Sequence, residues 1–160
     1  METLTDRFSS YFASDVAVSA AKSIGNGAEI EFQINGPAGQ IAETFTFTKK
    51  DGKNTVLAGP ARDPQLLFTL NEPAAAGILD FKSDNIGEIG VHIAKMVFNS
   101  KTKPDADAKL GIHFKAGFLA LFNKGYFGVL KTGGGQFASF LASNGLNGIS
   151  AIKSVLSKKK

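Results

Sequence analysis

Apolar residues first recur at helical spacing, with Leu4, Phe8, Tyr11, Phe12 and Val16 on one face, which predicts a helix over residues 4–23. Thr3 and Asp6 stand at the spacing of an N-terminal capping pair. Gly25, Asn26 and Gly27 end the run with residues that tolerate left-handed backbone angles. The period then drops to two. Ile30, Phe32 and Ile34 alternate with Glu29, Glu31 and Gln33, a turn occupies residues 35–39, and Ile41, Phe45 and Phe47 alternate with small residues and threonines. Asp51-Gly52 is a second turn signal, followed by Thr55, Val56 and Leu57 and then Gly59-Pro60. These runs predict an antiparallel meander with one apolar face.

A fourth strand is expected over residues 63–70, where Leu66, Phe68 and Leu70 alternate. Asn71 is placed to cap a short helix over residues 73–81, with Glu72 and Pro73 in its first turn. Ile86, Ile89, Ile93, Met96 and Val97 step by three or four and predict a further helix. Gly87 and Gly90 weaken it and leave a strand over residues 88–94 as the alternative. Leu110, Ile112 and Phe114 then give a fifth strand, and Gly117 leads into a very apolar helix containing Phe118, Leu121, Phe122, Phe127 and Leu130. Its apolar residues exceed a single stripe, so it is either wholly buried or faces the sheet on one side and a pocket on the other. Residues 126–131 carry a strand alternative. Short helical patches are expected around Phe137, Phe140 and Leu141 and over residues 149–156.

Composition narrows the function. At 160 residues with 43% hydrophobic and 20% charged residues, the chain has the make-up of a globular protein and is most simply one domain over residues 1–160. Fourteen Phe against two Tyr and no Trp favour dry interiors or apolar cavities over hydrogen-bonding interfaces. The absence of Cys excludes disulfides, thiol nucleophiles and thiolate metal sites, and it fits a reducing cytoplasm. No signal-peptide pattern and no span of bilayer length is expected. The net charge of +4 is concentrated near the end, in Lys153, Lys158, Lys159 and Lys160. That tail suits transient contact with an anionic membrane surface or simple solvation. Arg7 and Arg62 are the only arginines, which argues against nucleic-acid binding.

Candidate chemistry is sparse. His92 and His113 belong to no metal-binding spacing, and His113 falls on the polar side of its strand. Asp105 and Asp107 form D-x-D beside Pro104 without acidic partners, so turn chemistry explains them better than a cation. Gly133, Gly134 and Gly135 lack the Lys-Ser/Thr of a phosphate loop and read as a hinge. No catalytic residue, metal or cofactor is expected. Binding of an apolar molecule is the function these side chains perform unaided.

The order of elements resembles the sterol carrier protein type-two, or nonspecific lipid-transfer, domains. The similarity covers about residues 6–130. It rests on a first helix running into Ile24-Gly25, the segment EIEFQINGPAGQIAETFTFTKKDGKNTV, then LLFTL followed by helices, and KLGIHF leading through Gly117 into an apolar helix. The resemblance implies an α+β fold with a five-stranded, mainly antiparallel sheet. Helices pack on one face and enclose an apolar tunnel, with residues 1–130 as the family core and extra C-terminal helices in residues 131–160. It implies a non-catalytic carrier of fatty acyl chains or sterol-like lipids, in a cytoplasmic, bacterial relative. By position it places Phe45, Phe47, Phe68, Phe118 and Phe122 near the tunnel, with Ile89, Ile93 and Met96 on the covering helix; ordinary core packing is the other reading of each. Two rivals stand beside it: an accessory protein docking a partner in lipid or quinone metabolism, and an enzyme on an α+β cone of the ketosteroid isomerase type, which needs a convergent Asp, His or Tyr.

Overall fold

The computed structural model describes residues 2–126 and 128. The apolar and polar alternation becomes a five-stranded mixed sheet in the order β3-β2-β1-β4-β5, with β1 (Glu29–Asn35), β2 (Ile41–Lys50), β3 (Lys53–Ala58), β4 (Leu66–Asn71) and β5 (Leu110–Phe114). Neighbouring pairs are antiparallel except β1 and β4, which run parallel. Register puts Val56, Phe47, Ile30, Leu66 and Phe114 in one cross-strand row and Phe45, Phe32, Phe68 and Ile112 in the next. A period of two therefore gathers the apolar side chains of all five strands on one face.

The turns follow from their residues. Asp51 and Gly52, at φ 52° and 77°, make the tight left-handed turn that matches the twist of β2 and β3. From the edge strand β3 the chain must reach β4 on the far side of β1, and residues 59–65 cross the polar face to do so. Glu31 and Glu29 carboxylates accept from the backbone N–H of Ala61 and Asp63, and the Thr46 hydroxyl donates to the Gly59 carbonyl. The alternating acids of β1 thus become anchors for the crossing segment.

The predicted first helix is two. α1 (Leu4–Phe12) opens on a capping box between Thr3 and Asp6, as their spacing predicts. It stops because the Ser14 hydroxyl donates to the Tyr11 carbonyl at 2.7 Å and accepts from Ala17 N–H, starting α2 (Asp15–Ala20) instead. The C-terminal carbonyls of this pair are held by the β2–β3 hairpin. The buried Lys49 ammonium donates to the Ala21 carbonyl at 3.0 Å, and Asn54 donates to Phe12 at 2.9 Å.

α3 (Glu72–Leu79) begins where β4 ends. Asn71 caps it by accepting from Ala74 N–H at 3.0 Å, and the same carboxamide accepts from Lys109 N–H and donates to the Asp107 carbonyl. One side chain thus ties β4, α3 and the entry to β5. Asn71→Ala is expected to lower the unfolding free energy by about 2 kcal/mol. It should also speed amide exchange in β5, which a hydrogen-exchange comparison of the two proteins reads directly.

α4 (Ile86–Thr102) is a helix throughout despite Gly87 and Gly90, so the strand alternative there does not hold. Asn85 caps it, and its Ile and Met residues supply the packing that the glycines weaken in propensity. α5 (Phe118–Asn123) is shorter than the pattern suggests, because Gly125 turns the chain at φ 83°. The expected C-terminal helices, Gly133 to Gly135, and the lysines at 153 and 158–160 lie outside the described residues. Among the described residues, no helix is long and apolar enough to cross a membrane.

Candidate functional site

The apolar face of the sheet has two unlike halves. Over β2 and β1, Phe8 from α1 meets Phe45 with ring centroids 5.1 Å apart, Phe32 stacks on Phe45 at 4.8 Å, and Phe12 packs on Phe47 at 4.9 Å. Phe8, Phe32, Phe45, Phe47 and Ile34 are buried. The rings fill this half by direct contact, and offset or tilted pairs of this kind add to the burial itself.

Toward the Leu66–Phe68 end of β4 and the Ile112–Phe114 end of β5 the packing is looser, whereas the paired Leu70 and Leu110 at the other end are buried. Phe68 continues the ring chain at 4.9 Å from Phe32 but is only partly buried, as are Leu66, Ile112 and Phe114 beside it. α4 lies over this half with Ile89, Ile93 and Val97 partly buried and Met96 buried. Met96 reaches α3 where Gly77 leaves room: a Cβ there would lie 3.2 Å from its sulfur. His92 is occupied structurally, stacking on Phe81 at 4.2 Å and bonding the Gly77 carbonyl at 2.9 Å through Nε2.

Of the residues singled out from sequence, Phe45 and Phe47 therefore sit in the aromatic half, Phe68 at its boundary, and Ile89, Ile93 and Met96 on the covering helix. Phe118 and Phe122 lie on α5, with their side chains outside the described part.

A pocket of about 570 Å³ opens along β5, lined by Asn35, Thr69, Ser100, Lys101, Lys109 and residues 110–114. Its size falls within the range of small-molecule sites. Two elements build it. Ser100, in the last turn of α4, accepts from Leu110 N–H at 2.8 Å and donates to the Met96 carbonyl at 2.7 Å, which clamps the helix end to the start of the strand. Alternation along β5 then sends His113 to the polar face beside Thr69, 3.5 Å from its hydroxyl. Burial, followed by the positive charges of Lys115 and Lys101, holds the His113 imidazole below the usual histidine range. The ring is consequently neutral at pH 7 and stands in a positive field.

A second pocket of about 440 Å³ is lined by Gly27, Glu29, Arg62, Asp63, Gln65 and Lys124. It is polar, and Glu29, Asp63 and Gln65 in it are hydrogen-bonded to one another. The Gln65 side-chain oxygen accepts from Glu29 N–H at 2.7 Å and from the Tyr126 hydroxyl at 2.8 Å, and the Glu29 carboxylate holds Asp63 N–H. Burial pushes the Tyr126 phenol far above the ordinary tyrosine range, so it donates a hydrogen bond and stays protonated.

The structure does not bring Asp107 and His113 together as a pair. His113 lines the larger pocket, whereas Asp107 is absent from its lining and offers its carbonyl to Asn71. Among the described residues no group of three His or acidic side chains is arranged to hold a metal ion. Lys101, Lys109, Thr69 and Asn35 were not legible as site residues. The signal for two of them, Lys109 and Thr69, was present, since Lys109, Gly111 and His113 alternate onto one side of a strand that lies against Asn71, Thr69 and Leu67. No family model matches the chain, and no curated protein matches it.

Proposed function

We propose that this chain binds and carries an apolar ligand, a fatty acyl chain or sterol-like molecule, without performing chemistry on it, in the manner of the sterol carrier type-two domains it resembles. The observation that carries the reading is the asymmetry of the apolar face. Phenylalanine rings seal it over β1 and β2, while Leu66, Phe68, Ile112 and Phe114 stay partly buried, the last two lining a pocket of about 570 Å³ along β5. On this reading the acyl chain enters between α4 and the β4–β5 half, against Phe68, Ile89 and Ile93, and the family's tunnel runs there. Phe118 and Phe122, on the helix that follows β5, belong to the same proposed lining, with Phe45 and Phe47 as its closed end.

Burying a methylene is worth about 0.8 kcal/mol, so eight of them supply roughly 6 kcal/mol before ordering costs. That magnitude gives reversible binding, which suits a carrier. The lysines Lys153, Lys158, Lys159 and Lys160 would add electrostatic attraction to an anionic membrane during exchange. Native mass spectrometry of the purified protein, followed by solvent extraction, tests the proposal. A co-purifying lipid at near one per chain is expected. A protein that is empty and also fails to bind a fluorescent fatty acid would sink it.

A further inference from the structure

The outer edge of β5 has donors without partners. Lys115 N–H bonds the Gln65 carbonyl and the Lys109 carbonyl receives Asn71 N–H, so odd-numbered residues face β4. Alternation then turns the N–H and C=O of Leu110, Ile112 and Phe114 outward. Ser100 takes Leu110 N–H. Among the described residues nothing takes those of Ile112 and Phe114.

These backbone groups open on the larger pocket, whose lining also holds Lys101, Lys109 and His113 and contains no carboxylate. The Lys109 ammonium already gives one N–H to the Pro104 carbonyl at 2.7 Å, while the Lys101 ammonium makes no ion pair or hydrogen bond among the described residues. Free N–H groups along this edge, alternating with free carbonyls, and an unpaired ammonium in a lining without a carboxylate suit an anion. Ile112 and Phe114 supply partly exposed apolar surface at the same place.

We propose that the pocket along β5 recognises the anionic head of an amphiphile, with a carboxylate held between Lys101, His113 and the outward backbone N–H groups while the chain lies against Ile112 and Phe114. The inference rests on the carrier reading above and narrows its ligand class to acids over neutral lipids. The recognising side chains are a positioned charge from Lys101, at the end of α4, and a neutral imidazole able to donate one N–H. Thr69 and Asn35 complete the polar wall. A charge-assisted contact of this kind is strong where water is partly excluded and weakens as salt rises.

Isothermal titration with laurate and with dodecanol, which share a chain length and differ in head charge, is the test. Laurate is expected to bind about tenfold more tightly than dodecanol at low salt, and Lys101→Gln with His113→Gln is expected to remove that preference. The double variant should still bind dodecanol, and an unchanged urea-denaturation midpoint shows that it remains folded. Equal affinity for the two ligands in the native protein would overturn the head-group site and leave the carrier reading standing. Failure of both to bind would overturn both. A third outcome separates the sources of negative charge: if the double variant loses binding to phosphatidylglycerol vesicles but keeps its preference for soluble laurate, the cations serve a membrane surface and the proposal falls.

Discussion

Phe45→Ala is expected to lower the unfolding free energy by about 3–5 kcal/mol, a large share of the stability of any domain of this size. The ring is 0% exposed and touches Phe8 and Phe32 at once, and the residue on each side of it in space belongs to a different element. Truncation removes the packing that joins α1 to β2 and β1, and rigid neighbours cannot close the void. Phe68→Ala makes the informative contrast. Its ring touches Phe32 but borders the looser half, so the space it vacates joins a region already in reach of solvent. About 1–2 kcal/mol is expected there, together with a several-fold change in affinity for a fluorescent acyl probe. Urea denaturation and probe titration on the two variants give the answer. If Phe45→Ala kept its stability and lost the probe, the aromatic half would be the ligand chamber and the proposed location would be wrong.

The sheet was readable because strand physics leaves a local trace. Each strand alternates, each turn carries a residue suited to positive φ, and Thr3, Asn71 and Asn85 stand at helix starts where their side chains satisfy free N–H groups. The break at Ser14 left no such trace. A serine inside an apolar helical stripe is common, and its effect depends on the hydroxyl bonding Tyr11 and Ala17 together, a choice made in three dimensions. Lys49 is the same lesson from the other side. Nothing in the run Thr48-Lys49-Lys50 marks its burial; register turns it toward the helices, where the carbonyl end of α2 receives its charge.

The candidate site was less legible than the fold. Alternation and helical spacing put Phe68, Ile93 and Met96 on the covered apolar face, whereas Lys101 and His113 come to one pocket only through the Ser100 clamp between α4 and β5. The loop of residues 103–109 separates them in sequence, and no local pattern reports that closure.

Gly125→Ala tests the contact that fixes the last described helix. The glycine is at φ 83°, and a Cβ there would fall 1.8 Å from the Ser23 carbonyl oxygen and 2.8 Å from its carbon. Both are backbone atoms, so no rotamer change relieves the overlap. The two segments are also joined by hydrogen bonds, Gly25 N–H to the Lys124 carbonyl and the Ser23 hydroxyl to the Gly125 carbonyl, each 2.9 Å. Adding one methyl group therefore forces residues 124–126 away from residues 23–25 and exposes Leu121 and Tyr126, which are 1% and 9% exposed in the native fold. Strain of about 1 kcal/mol plus the loss of roughly 1.5–3 kcal/mol per exposed side chain predicts a cost of about 4 kcal/mol or more, and a fall in melting temperature of about 10 °C or more. Gly52→Ala is the control: φ is 77° but nothing lies within 4 Å, so the strain alone remains and the shift should be about 3 °C. Alkaline titration adds an independent readout, because burial raises the phenols of both Tyr11 and Tyr126 and the substitution should return that of Tyr126 alone toward the ordinary range. Equal melting shifts for the two alanine variants, with both tyrosines still titrating high, would show that the chain after α5 does not depend on this close approach.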